Sequence, residues 1–143
     1  MIRVVLDTTV IVSAVISPNG PNARLFDLIL DRQIRPYTTK EVLAEYAKVF
    51  SYERLKHLSK TRTARLNSIL SRAGKVVRSP GILKISGHDD DNRIYECAVA
   101  AKAHYIVTEN AKHFNAPHKT TQIINAQQLL GILEDRGQLR PPP

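Results

Sequence analysis

The sequence predicts an α/β protein, a three-layer α/β/α sandwich around a mostly parallel central sheet. Short β-branched runs alternate with longer helical patterns along the 143 residues, and such alternation implies parallel strands covered by helices on both faces. The first run, Ile2 to Leu6, is apolar throughout, as a strand buried on both faces must be. The composition, 43% hydrophobic and 24% charged, is that of a globular chain of one-domain size. Residues 1–136 are therefore expected to form a single domain, with 137–143 a proline-rich tail ending in Pro141-Pro142-Pro143.

The elements follow in order. After the strand Ile2 to Leu6, the apolar stretch Thr8 to Ile16 reads as a helix stopped by Ser17-Pro18-Asn19-Gly20. A second helix runs from Asn22 to about Arg32, with Leu25, Leu28 and Ile29 on one side. Ile34 to Thr38 is a second strand, and Thr39 caps a helix reaching Phe50. Two further helical patterns cover Tyr52 to Leu58 and Thr61 to Ala73, broken at Gly74 before a short strand at Val76-Val77. A loop with Pro80, Gly81 and Gly87 leads to Asp89-Asp90-Asp91 and a helix through about Lys102. Tyr105 to Thr108 and Gln122 to Ile124 are the remaining strands, and Asn125 caps a last helix to Glu134.

Charge separates one region from the rest. Of 21 Lys and Arg, nine fall within residues 51–84 together with a single acid, Glu53, while the remainder of the chain is balanced. A neutral domain with one basic region points to a polyanion, with nucleic acid ahead of an acidic protein partner. A lone cysteine, Cys97, excludes a disulfide framework and a cysteine zinc site, and fits a reducing cytoplasm. The apolar start of the chain is interrupted by Arg3 and Asp7 and is too short to span a bilayer, so no membrane association is expected.

Ligands of parallel sheets bind beyond the carboxyl ends of the strands, which directs attention to the acids placed there. Asp7 follows the first strand, where it reads either as a helix N-cap or as a site residue. Asp91 shares a helix side with Ile94, Ala98 and Ala101, so it points toward the core, whereas Asp89 and Asp90 sit at the helix start. Glu45 lies at the edge of the buried stripe made by Val42, Tyr46 and Val49. Glu109 and Asn110 follow the strand that ends at Thr108. Carboxylates gathered at one sheet edge repel unless a cation neutralises them, and donors that are all oxygen select Mg²⁺ or Mn²⁺. Beside a basic surface, that set points to metal-assisted hydrolysis of a phosphodiester, with hydroxyl contacts from Thr8, Thr9, Ser13 and Thr108.

Other chemistries fit poorly. The Asp89-Asp90-Asp91 run lacks the spacing and glycine of a calcium loop, and the five histidines, His57, His88, His104, His113 and His118, lack metal-ligand spacing. No P-loop or dinucleotide fingerprint is present. Thr9 stands where a haloacid-dehalogenase phosphotransferase carries its second aspartate.

Four ordered blocks resemble PIN-domain proteins, in the branch of bacterial and archaeal toxins related to VapC. They are the opening run from Val4 to Ala14, Val42 to Tyr46, Asp90 to Ala98, and Ala103 to Asn110. The resemblance implies a Mg²⁺- or Mn²⁺-dependent ribonuclease in which Asp7 and Asp91 are direct metal ligands. Glu45 would be a ligand or water-orienting base, Asn110 an outer contact, and Thr9 and Thr108 supporting hydroxyls. It also implies RNA backbone contacts from Arg54, Lys56, Lys60, Arg62 and Arg65, a cognate antitoxin entering the groove, and a homodimer. The chain departs from the family pattern in Asn110, where many members have aspartate and where neighbouring Glu109 could substitute, in His88 and in Thr9. Two alternatives stand beside this reading: a housekeeping RNA-processing nuclease without antitoxin, and a non-catalytic RNA-binding or scaffold domain.

Overall fold

The structure is a computed structural model that describes residues 1–79, 81, 89–114 and 121–137. Its centre is a parallel sheet in the order β3-β2-β1-β4-β5. The strands are β1 (Ile2–Leu6), β2 (Ile34–Thr38), β3 (Lys75–Val76), β4 (Tyr105–Val107) and β5 (Gln122–Ile124). Val4, Val5 and Leu6 of β1 are sealed on both faces, which is why this strand carries no polar alternation. From β1 the chain builds outward through β2 and β3, then returns to place β4 on the other side of β1. The crevice between β1 and β4 is thus the point where strand order reverses, the usual place for a ligand in an open parallel sheet.

The helices are α1 (Thr8–Ile16), α2 (Pro21–Leu30), α3 (Lys40–Phe50), α4 (Lys60–Ala73), α5 (Asp89–Ala101) and α6 (Ala126–Asp135). α1, α2, α4 and α6 pack together through α2, while α5 crosses β1, β2 and β4 with α3 against it, giving the expected three layers. Local chemistry sets their ends. Thr39 Oγ1 accepts from the Val42 N–H, Ser59 Oγ from the Arg62 N–H, and Asn125 and Gln128 form a reciprocal capping box. Pro21 opens α2 at a position whose N–H has no partner in a helix, one residue earlier than the sequence pattern suggested. Gly74 ends α4 for a steric reason: a Cβ there would stand 2.4 Å from the Leu70 carbonyl oxygen.

One expectation is corrected. Tyr52 to Leu58 is not a helix; it holds only a 3₁₀ turn, Glu53–Leu55, with no buried residue. A helix this short, with Leu55 and Leu58 only half-buried, does not repay its nucleation cost. The helix expected through about Lys102 ends at Ala101, where Lys102 takes a left-handed conformation (φ 50°) that closes it. A 3₁₀ turn at Ala111–Phe114 was not foreseen, although Phe114 anchors it by packing its ring 5.5 Å from that of Tyr95. Among the described residues no helix is long and apolar enough to cross a membrane. Pro80, Lys84, Gly87, His88, His118 and the triple-proline end lie outside the described residues.

At the amino ends of the strands, the Arg3 guanidinium donates twice to the Lys102 carbonyl, at 3.0 and 3.1 Å, and the Arg3 N–H donates to His104 Nδ1 at 2.9 Å. Partial burial, then the charges of Arg3 and Arg136, hold the His104 pKa below its ordinary value. The unfolded chain therefore takes up this proton first. Stability should be complete above the ordinary histidine pKa of about 6.5 and fall as pH drops below it toward the lowered folded value. Thermal melts between neutral and mildly acidic pH should show this loss in the wild type and a smaller one in His104→Asn; equal slopes would exclude the coupling.

Cys97 is fully buried in α5, and burial, then the charge of Glu41, pushes its thiol up to about 12. The native protein should therefore not react with a disulfide reagent, and should react fully in denaturant. Rapid labelling of the native form would contradict this packing.

Candidate active site

Asp7 occupies the N-cap position of α1, yet its side chain makes no cap hydrogen bond. Its Oδ2 instead accepts two hydroxyl protons, from Thr9 Oγ1 at 2.6 Å and from Thr108 Oγ1 at 2.9 Å. The capping explanation therefore fails for this residue. Each hydroxyl is held in turn: Thr9 Oγ1 accepts from the Glu109 N–H at 3.2 Å, and Thr108 Oγ1 from the Asn110 N–H at 3.0 Å. Both protons are committed to Asp7, so the two threonines orient a carboxylate. Asp7 Oδ1 carries no hydrogen bond from the described residues and remains available.

The backbone beneath Asp7 is fixed from two sides. Its N–H donates to the Val107 carbonyl at 2.9 Å, continuing the β1–β4 ladder to the last residue before α1. The Tyr46 hydroxyl, buried in α3, donates to the Leu6 carbonyl. Burial, reinforced by Cys97 and Asp7, holds the Tyr46 pKa well above its ordinary value, so it stays a donor across the physiological range. A phenol in a core must find such a partner, and this one finds it at the peptide that carries Asp7.

The other acids of the sequence pattern lie on α3, on α5 and after β4. Asp91, in the first turn of α5, is 8% exposed, as its helical position predicted. Glu45, half-buried on α3, is next in sequence to Tyr46, which reaches β1. Among the described residues no group of three or more His, Cys, Asp or Glu side chains is placed to hold a metal ion. Asp7, Thr9 and Thr108 are joined directly; Glu45 and Asp91 lie on α3 and α5, helices packed against one another. Asn110 is half-buried and serves the Thr108 hydroxyl through its backbone. Glu109 is exposed, and its Oε1 accepts from Asn22 Nδ2 at 3.0 Å, away from the Asp7 cradle.

Several buried polar groups escaped the sequence pattern. Asn22 is only 4% exposed and links Glu109 to Ser13 Oγ, 3.2 Å away, tying α1, α2 and the end of β4 together. Nothing in its sequence context, beside Pro21 at a helix start, marks it as buried. Glu96 is buried and ion-paired with Arg93 Nε at 2.8 Å. Its helical position is opposite the apolar side, so only a helix covered all round would reveal it. The Tyr46 hydroxyl was legible in principle, since Tyr46 fell on the buried stripe. Arg54, Lys56, Lys60, Arg62 and Arg65 are all exposed.

The profile of the PIN domain matches residues 3–112, which spans the sheet through β4 and every acid above. An uncharacterized protein of Methanocaldococcus jannaschii, MJ1680, is 31% identical over 104 residues, covering 71% of this chain and 67% of that protein. Among solved structures, a chain in the crystal structure of VapBC2 from Rickettsia felis, bound to a DNA fragment from their promoter, superposes with a TM-score of 0.57. The likeness is at 18% identity and covers 85% of this chain and 98% of that one. At that identity it speaks for the fold, and it agrees with the three layers described above. Strand order, the acid at the end of β1 and the matched span together place this chain in the PIN domain family.

Proposed function

We propose that the chain is a Mg²⁺- or Mn²⁺-dependent endoribonuclease that acts as the toxin of a toxin–antitoxin pair. The observation that carries this reading is Asp7: a carboxylate at the strand-order reversal, freed from capping, with one oxygen fixed by two hydroxyls and the other available. Membership of the PIN domain family supports nuclease chemistry, and the likeness to a VapBC2 chain supports an antitoxin partner.

A hard dication fits the donors present, which are carboxylate oxygens only. Asp7, Asp91 and Glu45 would hold it. When bound, it supplies a more acidic water and charge stabilisation at the phosphate. The protein's own share is orientation and proton handling. Thr9 and Thr108 keep Asp7 in one rotamer, Tyr46 fixes the peptide that carries it, and Glu45 accepts the proton of the attacking water. Asn110 completes the outer shell through Thr108. Arg54, Lys56, Lys60, Arg62 and Arg65 supply backbone contacts to RNA, which give affinity without base choice. Homodimerisation and a reducing cytoplasm complete the proposal.

The test is incubation of metal-stripped protein with single-stranded and structured RNAs, with and without Mg²⁺ or Mn²⁺. Cleavage should require the metal and fall more than about a hundredfold in Asp7→Asn, with Thr108→Val losing roughly 10- to 100-fold as the carboxylate's support is removed. Cleavage unchanged in Asp7→Asn, or none from folded protein under any condition, would overturn the nuclease reading; the second outcome favours a binding module.

A further inference from the structure

The basic residues of the 51–84 region do not form one row. On α4, Lys60 and Ala64 share a side because they are four residues apart, while Arg62 and Arg65 fall on another. Arg62 and Arg65 line a cleft against α1 and α2 that also contains Phe26 and Asp27. Lys60 lines a different cleft with Lys56, of about 500 Å³, between the end of α3, the Glu53–Leu55 turn and α4.

This second cleft has a distinctive chemistry. Half-buried Phe50, Leu55 and Leu58 provide its apolar lining, the two ammonium groups belong to exposed side chains, and no carboxylate lines it among the described residues. The adjacent Glu53 pairs with Lys56 at 2.7 Å, but the side chains are 83% and 65% exposed, so water and salt screen the pair and a phosphate can replace it. Next to the turn, the Arg54 guanidinium lies 5.0 Å from the centroid of the Tyr52 ring, adding a cationic stack at the margin. Such a recess suits a ligand whose faces are flat and apolar and whose edge is anionic. Its volume is in the range of small-ligand pockets, ~300–1,000 Å³.

We propose that this cleft is a nucleotide subsite. One unstacked base of a single-stranded RNA rests on Phe50, Leu55 and Leu58, and Lys56 and Lys60 meet its flanking phosphates. The inference rests on the RNA-binding part of the proposed function, to which it adds a base-holding pocket, and it does not depend on cleavage. Apolar contact with the face of the base, through the Phe50 ring and two leucines, is tolerant of base identity, and Thr63 and Asn67 line the same cleft.

The experiment uses the full chain carrying Asp7→Asn, titrated with a fluorescently labelled single-stranded RNA and with a matched oligomer containing abasic positions. The base-containing strand should bind roughly tenfold tighter. Ala64→Phe, which fills the cleft from an exposed position on α4, should erase that difference while leaving affinity for the abasic strand unchanged. Lys60→Ala should weaken both strands and flatten the salt dependence, and it provides a second variant at an exposed position if Ala64→Phe unfolds. Equal affinity for the two strands, or an unaltered preference in Ala64→Phe with its melting curve intact, would overturn the subsite. So would tighter binding of an acidic peptide than of RNA at this cleft. Base-dependent binding in Asp7→Asn, together with a wild-type chain that cleaves no RNA, would defeat the nuclease reading alone; metal-dependent cleavage by the wild type with base-independent binding in Asp7→Asn would defeat this inference alone.

Discussion

The parallel pairing of β1 with β4 determines where every polar group of the site can stand. It brings the end of the first strand beside the end of the fourth, so that Asp7 meets Thr108 although they are 101 positions apart. The Asp7 N–H continues the ladder onto the Val107 carbonyl, and the Thr108 hydroxyl then reaches the Asp7 carboxylate. Backbone and side chain are therefore fixed by the same neighbour. The remaining support is added from helices: Thr9 from α1 and Tyr46 from α3.

This arrangement manages the cost of acids at a sheet edge. A carboxylate with two hydroxyl donors is better solvated by the protein than one facing only its neighbours, and charge-assisted hydrogen bonds of this kind are stronger than neutral ones. Asp91 is more deeply buried than Asp7, while Glu45 keeps partial access to water. The acids are thus distributed over a strand end and two helices instead of being crowded onto one element. The exposed basic residues lie on α4 and the turn before it, in a different part of the chain from Asp7 and Asp91.

Much of this was legible in the sequence because simple periodicities govern it. The unbroken apolar run of β1 announced a central parallel strand, and the capping residues Thr39 and Asn125 marked helix starts where side-chain bonds are found. Asp91 was placed on the buried side by helical spacing alone, and it is buried. What escaped was tertiary. Asp7 sits where a cap belongs, and only the approach of β4 shows why its carboxylate turns elsewhere. Glu96 lies opposite the apolar stripe of α5, yet layers on both sides cover it. The helical pattern from Tyr52 to Leu58 failed because so short a pattern, its leucines only half-buried, confers little stability, and the chain settles for one 3₁₀ turn.

The long separation between the two halves of the Asp7 cradle has a consequence for the order in which the molecule comes into being. The segments carrying Asp7, Thr9 and Tyr46 leave the ribosome well before Thr108, and contacts between distant segments form late in folding because closing the loop costs entropy. A nascent chain can therefore acquire its first helices and the β1–β2 pair while Asp7 still lacks half of its support. The centre is completed only when β4 docks beside β1. The site is therefore made with the long-range pairing of the sheet and cannot be complete in any fragment that lacks β4.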